Sequence, residues 1–167
     1  MSRTLYIGID LGMDGAIAFL SQSSLLTMPM PTIKKGKGRD LDLNELAQIM
    51  RSANVPTTFV CIEDLGTHFK SADALRSMAM GFQTLKVMAH LFGIQHEFVR
   101  AIDWQRKFWT RPKMAKGQKF DTKAAALIAS KRIFPSHDFR KSARCSVSHD
   151  GMVDAALIAE YARREGL

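Results

Sequence analysis

An α/β domain built on a mixed sheet is the fold class that this chain predicts, and three observations predict it. Two short runs, Leu5-Tyr-Ile-Gly-Ile9 and Thr57-Thr-Phe-Val-Cys-Ile62, are apolar on both faces and partly β-branched, as strands buried inside a sheet are. Short turns join the first run to two more strand-like segments. Helical periods then separate the later strands.

The first strand ends at Asp10. Gly12, Asp14 and Gly15 form a tight turn, and Ala16–Leu20 returns as a second strand. After the turn Ser21–Ser24, Leu25–Met30 makes a third, so the three form an antiparallel meander. Pro31–Asp40 holds Lys34, Lys35, Lys37 and Arg39 with two glycines, which predicts a mobile basic loop. Leu43–Ser52 is amphipathic and predicts a short helix. The strand Thr57–Ile62 follows and ends at Glu63, and helix-then-strand after a meander predicts a parallel neighbour of the first strand. Leu75, Met78, Phe82, Leu85, Met88 and Phe92 recur at helical steps until Gly93. Gln95–Val99 is a fifth strand, residues 101–121 have no steady period, and Thr122–Phe134 and His149–Arg164 are helices.

A length of 167 residues predicts a single domain over 1–167 with room for a real core. The longest apolar runs fall well short of the roughly 20 residues that span a bilayer, so no membrane partner is expected. The first apolar run is short and holds Asp10, unlike a leader peptide. Cys61 and Cys145 sit in no metal-like spacing and imply no disulfide framework, so a reducing, cytoplasmic location is the expectation.

The net charge of +8 is regional. From Arg100 to Arg144 thirteen Lys/Arg face three acids, a local net of +10, while the remainder has a net of −2. Such a surface suits a polyanion. Lys113, Lys116, Lys119, Arg140, Lys141 and Arg144 are the candidate phosphate contacts. A solvated loop tuned for solubility is the plainer alternative, although such loops usually mix signs. Trp104 and Trp109 lie among these cations and suit loop or core anchors better than base-stacking platforms.

The candidate chemistry lies in the acids. Asp10 and Glu63 each end a buried strand, and parallel neighbours bring such ends to one edge of the sheet, where open α/β sheets bind ligands. Asp150 and Asp154 are four residues apart on the last helix, about 40° around its axis, so they point the same way. Asp154 directly precedes the apolar surface of Ala155, Leu157, Ile158 and Tyr161, which predicts that it faces inward. Read alone, Asp150 also suits an N-cap and Asp154 a first-turn acid favoured by the helix dipole. That reading leaves Asp10 and Glu63 without an explanation. Four acids ending three internal elements predict a cage of hard oxygen ligands for Mg²⁺, with Mn²⁺ as a substitute. No thiolate or paired-histidine spacing points to zinc. His149 is an auxiliary ligand, a base or a surface histidine at a helix start.

The succession Ile7-Gly-Ile-Asp10-x-Gly, a meander, Ile62-Glu63, a long helix and His149-Asp150-Gly-x-x-Asp154-Ala resembles the RuvC-type Holliday-junction resolvases, and within them the compact phage and phage-like bacterial branch. The resemblance covers nearly the whole chain. It implies a ribonuclease H-like fold, a five-stranded mixed sheet of order 3-2-1-4-5 with helices on both faces. It also implies that Asp10, Glu63, Asp150 and Asp154 are the catalytic, metal-binding carboxylates of a crossover junction endodeoxyribonuclease. The implied reaction, serving DNA recombination or repair, is paired hydrolytic nicking of a four-way junction by a homodimer. Two divalent ions about 4 Å apart would activate water and stabilise the leaving oxygen. The Met-rich helix with Met78, Met80 and Met88 is the candidate dimer face. By the same resemblance Lys107 and Lys123 lie nearest the scissile phosphate, and Phe69 is an aromatic wedge at the junction centre, or else a helix-start staple. The cellular branch usually spaces its last two acids three apart, whereas here they are four apart.

Rival expectations are a ribonuclease H-like nuclease acting on hybrids, flaps or branched DNA, and a non-catalytic nucleic-acid-binding module of the same fold. Sugar-kinase and chaperone ATPases also carry Ile-Asp-Leu-Gly, but they need two such lobes.

Overall fold

The computed structural model describes residues 5–66 and 71–167. Five strands form the main sheet: β1 (Leu5–Asp10), β2 (Ala16–Ser21), β3 (Leu25–Pro29), β6 (Thr58–Glu63) and β7 (His96–Val99). Between β3 and β6 lie a hairpin, β4 (Thr32–Lys35) and β5 (Gly38–Leu41), and helix α1 (Leu43–Ser52). Helices α2 (Ala72–Leu91), α3 (Ala101–Gln105), α4 (Thr122–Ile133) and α5 (Asp150–Glu165) complete the chain.

The sheet order is β3-β2-β1-β6-β7. β1 pairs antiparallel with β2 and β2 with β3, while β6 runs parallel to both β1 and β7. This is the mixed five-stranded order expected from the sequence. It makes β1 the central strand.

Strand alternation divides the core into two layers. Ile7 and Ile9 of β1, Ile17 of β2, and Val60 and Ile62 of β6 face α1 and α2, where Leu46, Met50, Leu85 and Ala89 meet them. On the other face Ala16, Ala18, Phe59 and Cys61 pack against α4 and α5. Both faces are therefore dry, which is why these strands read as continuous apolar runs.

One residue sets how closely α5 lies on the sheet. A Cβ at Gly8 would sit 2.1 Å from the Ala155 carbonyl oxygen and 2.5 Å from the Ala159 nitrogen. Only glycine admits a helix backbone that near to a strand. Alanines at 155, 156, 159 and 162, all buried, give α5 the matching flat surface. Within α5 the buried Glu160 is held by Arg163 and Arg164 at 2.6 and 2.7 Å.

Two expectations need correction. Residues 31–40 are not a mobile loop: the β4–β5 hairpin occupies most of them, with Lys34 opposite Arg39 and Gly36 turning the chain at φ 58°. Its ladder is made by backbone groups, so little apolar alternation was needed. The aperiodic stretch 101–121 contains α3, a short helix pinned by Trp104, which is buried. No helix among the described residues is long and apolar enough to cross a membrane.

Candidate active site

The end of β1 and the end of β6 bring two carboxylates together. Ile9 and Ile62 are register partners, so Asp10 and Glu63, one step further, end neighbouring parallel strands. Such strands lie about 4.8 Å apart. Alternation turns Asp10 with Gly8, and Glu63 with Cys61, towards the α5 face.

α5 supplies the third acid to that face. Ala155 lies against Gly8, and Asp154 precedes it by one residue. At the same helix end, Gly151 is pressed onto the loop after β1, where a Cβ would lie 2.7 Å from the Asp14 carbonyl oxygen. The two glycines thus seat the first turns of α5 over the end of β1. Neither belonged to the candidate set, although a lone glycine inside a buried strand is a known mark of close backbone approach.

The acids affect one another. Burial, then the charges of Glu63, Asp154 and Asp150, hold the Asp10 carboxyl well above the usual carboxylate range. Burial likewise pushes Glu63 up to about 7, against a weaker opposing pull from the Trp104 indole, which lies short of a proper hydrogen bond. Asp154 is pushed up to about 7 by burial and by Glu63 and Asp150, against a weaker opposing pull from the Lys123 ammonium. The contrast with Glu160 is informative. That buried acid has two arginines, whereas Asp10, Glu63 and Asp154 have no ion pair among the described residues.

Asp150 is more exposed, and Lys123 Nζ donates to its Oδ2 at 2.5 Å. His149 is the N-cap of α5: its Nδ1 accepts from the Met152 amide at 3.3 Å. This corrects the reading of Asp150 as a cap. Burial and the nearby Lys141 ammonium lower the His149 pKa.

Among the described residues no three His, Cys, Asp or Glu side chains close into a finished metal cage. What the site offers is a donor set. Its members are oxygen-only, partly buried and mutually repelling, which suits a hard divalent cation and no softer metal. Asp10, Glu63, Asp154 and Asp150 fit that group by chemistry.

Two comparable structures come from Thermus thermophilus. RuvC in complex with a Holliday junction substrate superposes with a TM-score of 0.57 at 11% identity, covering 98% of this chain and 97% of that one. A further T. thermophilus RuvC structure gives 0.55 at 12% identity, with the same coverage. The fold is RuvC-like. No family model and no curated protein matches the sequence.

On this RuvC-like frame the candidate DNA contacts separate. Lys123 stands beside the acids. Lys107 does not: it pairs with Glu165 at 2.8 Å, fifteen residues down α5 from Asp150 and so about 22 Å along the helix axis at 1.5 Å per residue. Lys107, expected by resemblance near the scissile phosphate, thus stands at the opposite end of α5 from the acids, because α3 carries the chain along the flank of that helix. Lys113, Lys116, Lys119, Lys141 and Arg144 are exposed and have no ion pair among the described residues. Arg140 is held by Asp138, whose carboxyl it lowers to about 2, and also reaches the Cys145 carbonyl. Trp104 and Trp109 meet edge to face, ring centroids 5.8 Å apart, as anchors of this segment. Phe69 lies outside the described residues.

Proposed function

We propose that this chain is a divalent-cation-dependent endonuclease that resolves four-way DNA junctions. One observation carries the reading: three buried-edge carboxylates from β1, β6 and α5 converge with no ion pair among the described residues at the ligand edge of a RuvC-like sheet. Asp10, Glu63, Asp154 and Asp150 would hold the ions. When bound, these supply an activated water and a stabilised leaving oxygen for phosphodiester hydrolysis.

The chain's own residues place the reacting groups. Strand register fixes Asp10 against Glu63, and the Gly8 contact fixes Asp154 against both. Lys123 holds Asp150 and offers positive charge where a phosphate would lie. The exposed cations of 113–119 and 141–144 would track the backbone, which makes affinity fall steeply with salt. The T. thermophilus protein was solved with a Holliday junction, and the shared fold is what brings that substrate to this chain as a proposal.

A four-way junction has two-fold symmetry, so a homodimer with one site per subunit matches it. Met80, Val87 and Leu91 lie on one exposed stripe of α2 and could meet a second copy. Met78 and Met88, also expected there, pack instead against the core.

The test is cleavage of a four-way junction, a linear duplex, an RNA–DNA hybrid and a flap, with Mg²⁺ or Mn²⁺. Paired nicks in junction strands of like polarity are expected. Cutting confined to hybrid or flap would point to the wider ribonuclease H-like chemistry. Binding without cutting would leave a recognition module.

A further inference from the structure

The connection from β3 to α1 carries cations that the carboxylate site does not use. The hairpin holds Lys34, Lys35, Lys37 and Arg39 against one acid, Asp40. Two of the four are engaged. Lys35 pairs with Asp40, and Arg39 donates to Asp14 Oδ1 at 2.6 Å and to the Met13 carbonyl at 3.3 Å. Lys34 and Lys37 are exposed and have no ion pair among the described residues.

The register places Lys34 directly opposite Arg39. Like charges facing each other across a strand pair destabilise it, and Asp14 neutralises only one of the two. With Arg39 held by Asp14, Lys34 is the cation of the pair left to meet an outside anion.

The hairpin's position says which anion. Arg39 pins the hairpin to the loop after β1, and that loop touches Gly151, next to Asp150. Lys141, from the other basic segment, acts on the same Asp14 together with Arg39 in lowering its pKa. Cations far apart in sequence thus approach one loop from two flanks. The hairpin lies on the α2 flank, where Leu41 joins the core, and residues 101–144 lie on the α4 and α5 flank. A cleft of about 520 Å³ opens between hairpin and α2, with Lys35, Arg39 and Arg76 on its walls beside Asp40 and Asp73, which pair with Lys35 and Arg76.

From this arrangement we infer that the 32–41 hairpin is a second phosphate clamp, by which Lys34 and Lys37 grip DNA on the α2 flank of the carboxylate edge. The inference rests on the proposed DNA substrate. A plainer role exists for these lysines, since charged residues protect exposed strand edges from pairing. That role predicts no effect on DNA.

The experiment measures binding of junction DNA by the full chain without divalent cation, across a salt series, for wild type, Lys34→Gln/Lys37→Gln and the control Lys86→Gln. Loss of two phosphate contacts lowers the slope of log Kobs against log[salt] by about 1.8, an affinity loss of up to about 60-fold at 0.1 M salt. The control should lose at most a few-fold. A hairpin variant that matches Lys86→Gln, beneath a steep wild-type slope, overturns the clamp and leaves the DNA reading standing. A wild type with no salt-dependent DNA binding overturns both. Lysine acetylation of wild type with and without DNA needs no variant: protection of Lys34 and Lys37 supports the clamp, and equal reactivity overturns it.

Discussion

Replacing Asp154 by Asn should make the cation-free protein more stable, increasingly so as the pH rises above about 4. The side chains are nearly the same size, so the change removes a charge and little else. Folding holds the Asp154 carboxyl near 7, far above an ordinary aspartate, through burial and the neighbouring acids. Between about pH 4 and pH 7 the folded chain therefore keeps a proton that the unfolded chain releases, and wild-type stability falls as pH rises through that window. At 1.36 kcal/mol per tenfold, the cost of the ionised form has an upper bound of roughly 4 kcal/mol. Glu63 and Asp10 share the same repulsion, so the expected gain at about pH 8 is about 1–3 kcal/mol, or roughly 3–10 °C in Tm. The assay is thermal melting of both proteins in EDTA from about pH 4 to pH 8. The gain should shrink as pH falls through this window and vanish near pH 4, where the carboxyl is protonated in the folded and the unfolded chain alike. Excess Mg²⁺ should then raise the Tm of wild type more than that of the variant. A variant that melts at or below wild type at pH 8 in EDTA would refute the claim that Asp154 is a repelled, unpartnered acid.

Other expected outcomes follow from the same geometry. Gly8→Ala forces α5 off β1 and should cost about 3 kcal/mol or more in urea unfolding, since the intruded atoms are backbone. Lys123→Ala breaks only an exposed pair, so its stability should stay within about 0.5 kcal/mol of wild type while junction cleavage drops. Met80→Glu places a charge on the exposed stripe of α2 and should shift sedimentation from dimer to monomer with the melting temperature little changed. A monomeric wild type at working concentrations would remove α2 as an interface.

Much of this architecture is legible in the chain itself. Strands buried on both faces need β-branched and apolar residues, so Leu5–Asp10 and Thr58–Glu63 stand out, and so do the carboxylates that end them. The inward turn of Asp154 follows from the apolar surface beside it. The hairpin is hidden because a two-stranded ribbon at the surface needs no apolar alternation; the glycines at 36 and 38 are its main trace. The His149 cap is missed by a single residue, since either side chain can accept from the helix amides. Lys107 is a different case: it is matched by resemblance to a region, and a regional match says nothing of the direction in which α3, anchored by buried Trp104, carries the chain.

The central claim is that Asp10, Glu63 and the acids of α5 form one cation-dependent hydrolytic site for branched DNA. Cleavage and binding of a four-way junction, measured in parallel for wild type, Asp10→Asn and Glu63→Gln in Mg²⁺, test it most directly. The expected result is paired nicking by wild type, and loss of nicking by at least about a hundredfold in both variants with junction binding retained. Nicking by either variant at the wild-type rate would contradict it.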